Sequence, residues 1–431
     1  MNRCDIVRRR TSSKILLINA IYVGMDCTVH DAEQLLLTEM IIRSYAQKCD
    51  TAVYLPQDQY YPNMVTSAVI RQGFLREDVH SGAPFFIVDT HAPLMLLQNM
   101  ETALKEPFSS NERVLEAIYK AQEDLQHSMA KLYPGQLVLP VSATLLFHRL
   151  VDKITALNQV PREPVVPRKL GELMCVPFGK IIRGKVMPNT VTKTLHTDRI
   201  YEPDLQSNAV EAFPGYTPLP TQVRAIRSFR RPVILVDDVL NRSGLRIGTL
   251  EPMLKKEGID VRLVLLGVMT GYGRDTLTTM NLKGDSVYFI PNMRYWFAES
   301  TLYPFIGGDT VRREGTKVAG LAPSINLIQP YTQPPLSDAD PEALFSFSAC
   351  CLKNARDVLR ILEQEYRAIF ARNLTLSRLS EAVNLPLCPD RGECINYDPN
   401  LAASVYLQND LDMLARTRAD TRAATNRYTG R

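Results

Sequence analysis

The sequence predicts an α/β protein: a central domain on a parallel sheet, preceded by another α/β region and followed by a helical one. Three observations carry this. Residues 233–236 are an unbroken apolar run, Val-Ile-Leu-Val, as suits a strand buried on both faces. After it come Asp237 and Asp238, a turn containing Gly244, a helical stretch over 246–258 that stops at Gly258, and a second apolar run over 261–269. Finally, residues 1–158 alternate short β-type runs with helical ones, while 342–374 repeats Leu352, Ala355, Val358, Leu359, Leu362 and Tyr366 at helical spacing.

In chain order, 15–22, 51–55, 85–88 and 136–139 read as strands, and 30–47, 64–72, 111–132 and 142–157 as helices. His30 and Asp31 are placed to cap the first helix, where an acid suits the N-terminal turn. Residues 159–171, with mixed charge and several prolines, read as a linker. The central domain runs over 172–320. It opens on an apolar run at 174–178 and continues into a stretch rich in basic residues, glycines and hydroxyls (179–199) that reads as extended loops. The proline-rich 202–220 reads as an insertion that could cover a site. Beyond 261–269, Thr270–Asp275 reads as a turn, or a loop placed for an acceptor, 286–291 as a strand, and 295–305 as an aromatic cluster that closes the domain edge or stacks on a flat acceptor and holds Trp296, the single tryptophan. A proline-rich linker follows at 321–341. Helices are expected over 342–415, and a disordered basic tail over 416–431.

Composition narrows the function classes. The chain has 431 residues, 45% of them hydrophobic, and a net charge of +4, enough for sizeable cores and too small a charge to call for nucleic acid as a partner. No apolar run approaches the roughly 20 residues that cross a membrane. The eight cysteines are scattered, and Cys388 and Cys394 have no nearby third ligand, so neither a disulfide framework nor a zinc site is expected. The expectation is a reduced, cytoplasmic protein with no membrane partner. The amphipathic stretches of 342–415 could pair it with a second copy.

Two carboxylates at the end of a buried strand, followed by a small loop that opens a helix, point to a ligand with hydroxyls beside a phosphate. Ligands of open α/β sheets lie outside the carboxyl ends of the strands, and a helix start offers backbone N–H groups to an anion. At these residues the chain resembles the phosphoribosylpyrophosphate (PRPP) motif of type I phosphoribosyltransferases: four apolar residues, two acids, two apolar residues and a small loop. The resemblance implies a phosphoribosyltransferase-like central domain, with Asp237 and Asp238 on the ribose hydroxyls and Mg²⁺ arriving with PRPP. It also implies Asn241, Arg242, Ser243, Gly244 and Arg246 around the 5′-phosphate. The loop departs from the family pattern: Arg242 and Leu245 stand where threonines are usual and Ser243 where a glycine is usual. By the same resemblance Lys193, His196 and Arg199 would meet the pyrophosphate from a mobile loop. A fainter resemblance to GNAT acyltransferases lies in residues 14–90, on the helix–strand–helix order and Gly73-Phe74. The place of its glycine-rich turn holds a single glycine, Gly24, and no catalytic residue is carried over.

The function these residues imply is phosphoribosyl transfer from PRPP, or cleavage of a related nucleotide-like compound, with an acceptor the sequence does not name. The changed phosphate loop supports an alternative, a regulator that senses PRPP or a nucleotide without turning it over. A third reading is a scaffold whose helical region binds a partner protein.

Overall fold

The computed structural model describes residues 14–24, 26–56, 64–79, 82–167, 169–179, 185–242, 244–312, 318, 321–336, 338–390 and 397–429, without the side chains of 79, 82, 83 and 421–429. It is a mixed α/β protein with three sheets, two of which carry runs of parallel strands.

The first sheet is organised by one long strand. β1 (Lys14–Ile18) lies parallel to β2 (Cys49–Tyr54), with α1 (Ala32–Ser44) between them. After α2 (Met64–Arg71), β3 (Leu75–Val79) turns back onto β4 (Gly82–Gln98), which has 17 residues. Residues 86–89 of β4 run antiparallel to β2, whereas residues 94–98 run parallel to β5 (Gln136–Ser142), which comes after α3 (Glu112–Ala130). The pairing shifts between Asp89 and Leu94. The 85–88 run is therefore the first part of a longer strand; His91 and Pro93 break the apolar pattern that would have shown the rest. α4 (Ala143–Leu157) starts directly after β5, where the Ser142 hydroxyl accepts the Leu145 N–H at 3.2 Å. At the start of α1 the Asp31 side chain makes no capping bond. It receives Arg71 through two hydrogen bonds of 2.6 and 2.7 Å, and His30 stacks on Tyr119 at 3.9 Å. A buried arginine outcompetes a solvated cap for that carboxylate.

The rest of the chain weaves two more sheets. After β6 (Met174–Pro177) comes a hairpin, β7 (Thr197–Tyr201) and β8 (Asn208–Ala212), then α5 (Leu219–Arg227). Next come β9 (Val233–Leu240), α6 (Leu245–Lys256), β10 (Val261–Thr270), α7 (Gly271–Thr279) and β11 (Gly284–Ile290). β6, β9, β10 and β11 form a fully parallel four-stranded sheet in that order. The last elements are β12 (Tyr295–Ala298), β13 (Asp309–Val311), β14 (Ala322–Ile325), α8 (Pro341–Phe370), β15 (Leu387–Pro389) and α9 (Ala403–Thr429). The third sheet has the order β15-β14-β13-β7-β8. β12 leaves the central segment altogether and adds to the first sheet, parallel to β4.

The parallel sheet is covered on both faces. Val223, Ile226, Leu250, Leu254 and Leu277 of α5–α7 pack on one. Leu146, Leu150 and Ile154 of α4 pack on the other, so the N-terminal region is one wall of the central core. Gly267 is the contact point: a Cβ there would lie 2.6 Å from the Asp238 carbonyl oxygen and 2.7 Å from Leu146 Cδ2. An ion pair reinforces the seam, with Lys153 Nζ 2.6 Å from Asp285, and Arg149 lies 5.2 Å over the Tyr288 ring of β11.

Several segments behave differently from their sequence reading. The 159–171 segment is held at both ends, by Asn189 Nδ2 donating to Pro161 and Glu163 carbonyls at 2.8 and 2.7 Å and by the Gly171 N–H on Asn189. Residues 321–341 contribute β14 and buried Ile328, Tyr331 and Leu336 to the C-terminal core. The 202–220 insertion is largely the β7–β8 turn and β8. Thr270–Asp275, read as a turn, starts α7, with the Thr270 hydroxyl accepting the Gly273 N–H at 3.1 Å. The 416–431 tail continues α9 as far as Thr429, without an apolar period to announce it. The apolar stripe of α8 is spent inside the chain, where Leu352, Val358 and Leu362 pack with Ile118 and Leu125 of α3 and Leu94 and Leu96 of β4. Among the described residues no helix is long and apolar enough to cross a membrane.

Candidate functional site

β9 is buried along its whole length and lies between β6 and β10. It runs on to Leu240, so Asp237 and Asp238 sit within the strand near its carboxyl end, 4% and 3% exposed, and do not stand beyond it as capping residues. Burying two acids side by side is costly unless each charge is answered. Asp237 Oδ1 accepts the Asp238 N–H at 2.9 Å and Arg246 Nη1 at 3.1 Å. Arg246 comes from the first turn of α6, and its side chain is largely buried with that of Asp237. Burial by itself would pull the Arg246 guanidinium down. The carboxylates of Asp237, Asp238, Asp198 and Asp309 outweigh that and hold it above its ordinary value. Arg246 is thus the countercharge of a converging acidic group.

Two glycines shape the approach. Gly244 caps α6 with φ 49°, a left-handed conformation, and a Cβ there would lie 2.8 Å from Thr276 Cγ2. It lets the chain turn from β9 into α6 so that the first helical N–H groups stand at the cleft. Gly179 comes just after β6 and passes directly over the acids: a Cβ there would fall 2.4 Å from Asp238 Oδ1 and 2.7 Å from Asp237 Oδ1. Sequence reading did not single out Gly179. Its signal was its place, the first glycine after the apolar run 174–178, one strand away from the acid pair.

The result is a small cleft, open to solvent, lined by Asp237, Asn241, Gly244, Arg246, Arg199 and Trp296 among others. Asn241 is steadied by Thr270, whose hydroxyl lies 3.4 Å from Asn241 Oδ1. Trp296 arrives on β12, from the first sheet, which is why an aromatic cluster that read as a domain edge reaches the acid pair.

Not every expected residue is there. Arg242 is exposed, lies over the Tyr272 ring at 5.0 Å and is not among the residues that line the cleft. Ser243 lies outside the described residues, as do 180–184 of the basic stretch. Lys193, His196 and Arg199 do not form one mobile loop. Lys193 is exposed beside β6, with its N–H on the Cys175 carbonyl at 3.0 Å. His196 and Arg199 flank the start of β7, and strand alternation sends them to opposite sides. Arg199 lines the acid-pair cleft, whereas His196 and Asp198 line a larger cavity of about 430 Å³.

The Mg²⁺ implied by the resemblance finds no three-ligand cluster among the described residues. Asp237 and Asp238 are the groups placed to reach an ion that arrives bound to a ligand's phosphates, the usual manner for Mg²⁺. The donor set fits that arrangement.

No protein-family model matches the chain, and no curated protein matches it.

Proposed function

We propose that the acid-pair cleft binds PRPP and that the protein transfers its phosphoribosyl group to an acceptor, on a phosphoribosyltransferase-like central domain. The observation that carries this is the convergence, at the carboxyl end of a parallel sheet, of two adjacent buried acids, a cation and a helix start behind a left-handed glycine. In this reading Asp237 and Asp238 accept the ribose 2′- and 3′-hydroxyls. The first-turn N–H groups of α6 and Arg246 hold the 5′-phosphate, so Arg246 exchanges a carboxylate for a phosphate when the ligand enters. A bond forms from the acceptor's nucleophile to ribose C1 while the C1–O bond breaks and pyrophosphate leaves with the electron pair. Arg199 is the fixed cation on that side of the cleft, suited to the charge that develops on the leaving group. Mg²⁺ carried by the pyrophosphate supplies further countercharge there.

A second reading keeps the ligand and drops the turnover. Arg242 is held on Tyr272, and the cleft is small. Both suit a PRPP or nucleotide sensor. Thermal unfolding with Mg²⁺-PRPP tests the shared step: ligand at about a hundred times its dissociation constant stabilises its site by ~2.7 kcal/mol. A Mg²⁺-dependent shift that disappears in Asp237→Asn/Asp238→Asn supports both readings, and no shift refutes both. Pyrophosphate release across a panel of acceptors then separates enzyme from sensor.

A further inference from the structure

We infer that the larger cavity, about 430 Å³, is a second ligand site, suited to a planar nitrogen heterocycle that carries one acidic group. This goes beyond the phosphoribosyl reading and does not depend on it. The cavity lies where three parts of the chain meet: Asn99 and Thr102 after β4, His196 to Tyr216 around the β7–β8 hairpin, and Asn384 to Leu387 before and within β15. Small-molecule sites favour such seams, and the space falls within the ~300–1,000 Å³ such sites enclose.

Its wall offers a stacking plate. The His196 and Tyr216 rings are stacked at 4.0 Å and 21°, and Phe213 meets Tyr216 edge-on at 6.1 Å. Tyr216 is nonetheless 46% exposed, so part of the ring surface not stacked on His196 is accessible to a flat guest. Charge of both signs lines the same space. Lys185 Nζ lies 4.2 Å over the Phe147 ring, and burial lowers its pKa against the raising effect of Glu101. An ammonium that has lost part of its hydration gains from an anionic group. Asp198, which accepts the Thr310 hydroxyl, is 2% exposed and presents a carboxylate suited to a ring N–H or amino donor. Thr301 and Asn384 add hydroxyl and amide groups at the rim. An apolar guest would desolvate Lys185 without answering it and would leave unused the acceptor capacity that Asp198 keeps beyond its Thr310 bond. A flat ring with one anionic and one N–H edge answers both.

The experiment uses the full chain and two probes of one shape, pyrazole-4-carboxylate, which carries a ring N–H, and its uncharged amide, read by thermal unfolding and by Trp296 fluorescence. Trp296 is the single tryptophan and lines the acid-pair cleft. The expected result is a saturable rise of the unfolding midpoint with the carboxylate and a weaker one with the amide, with Trp296 emission unchanged. Tyr216→Ala and Lys185→Ala, at accessible positions, weaken the carboxylate at least about tenfold; Tyr216→Phe retains it, and so does Asp237→Asn/Asp238→Asn. No rise in the wild type overturns the inference. So does a rise that survives both Tyr216→Ala and Lys185→Ala, or one that quenches Trp296 and is lost with the acid pair. Each of these leaves the PRPP test to be decided by its own ligand.

Discussion

The first sheet and the four-stranded parallel sheet both end in polar groups, and they use them in opposite ways. Where β4, β5 and β12 finish, the polar side chains are spent on one another. Asn99 Nδ2 donates to the Ser300 hydroxyl at 2.9 Å, its carbonyl accepts the Ser300 N–H at 2.9 Å, and Gln122 donates to Glu299 at 3.0 Å. Glu299 is fully buried there, and burial pushes its carboxyl up to about 8 despite the Gln122 bond. Where β9 finishes, Asp237 meets a cation from the next helix and lines a solvent-open cleft, with Asp238 buried beside it. At the first end Glu299 is enclosed, with Asn99 and Ser300 also bordering the larger cavity, while at the second Asp237 sits beside a guanidinium at the cleft. Strand order alone does not make a binding site. The two ends differ in the backbone that leaves each strand, a tight helical turn at Glu299 and a left-handed glycine at Gly244.

Changes that strain this contrast should rank by how much packing they disturb. Gly267→Val forces a side chain against the Asp238 carbonyl and Leu146, where backbone cannot give way, and should cost about 3 kcal/mol or more in chemical denaturation. Glu299→Gln should change the pH profile. The folded-state pKa of Glu299, about 8, lies above its ordinary 4.5, so between those values the folded chain holds a proton that the unfolded chain has released. Stability therefore falls as pH rises through that window and levels off above it, by an amount on the order of a few kcal/mol, and the glutamine variant should flatten the fall. Arg246→Gln leaves the acids of the second end uncompensated and should cost roughly 2 kcal/mol near neutral pH, less in acid, by denaturant midpoint at each pH. Arg242→Ala removes an exposed cation–π contact with Tyr272 and should cost about 0.5 kcal/mol.

The second sheet was legible because its strands are buried on both faces and read as continuous apolar runs: 174–178, 233–236 and 261–269 became β6, β9 and β10. β12 was not, because Tyr295–Ala298 joins a strand two hundred residues earlier and no local pattern encodes that pairing. The second half of β4 was hidden by Pro93 and by its change from antiparallel to parallel partners. Within the site, the acids, Gly244 and Arg246 are sequence neighbours in one strand–loop–helix unit. Gly179 and Trp296 come from other strands and reach the acids only through the tertiary fold. The basic trio misled because a strand alternates sides: charges read as one patch on a loop are divided once 197–201 becomes β7.

The most direct test of the central claim is a fluorescence titration of Trp296 with Mg²⁺-PRPP in the wild type and in Asp237→Asn/Asp238→Asn. A saturable change in the wild type, with affinity lower by at least about a hundredfold in the variant, is the predicted result. An unchanged Trp296 signal in the wild type, or the same titration curve in both proteins, would contradict it.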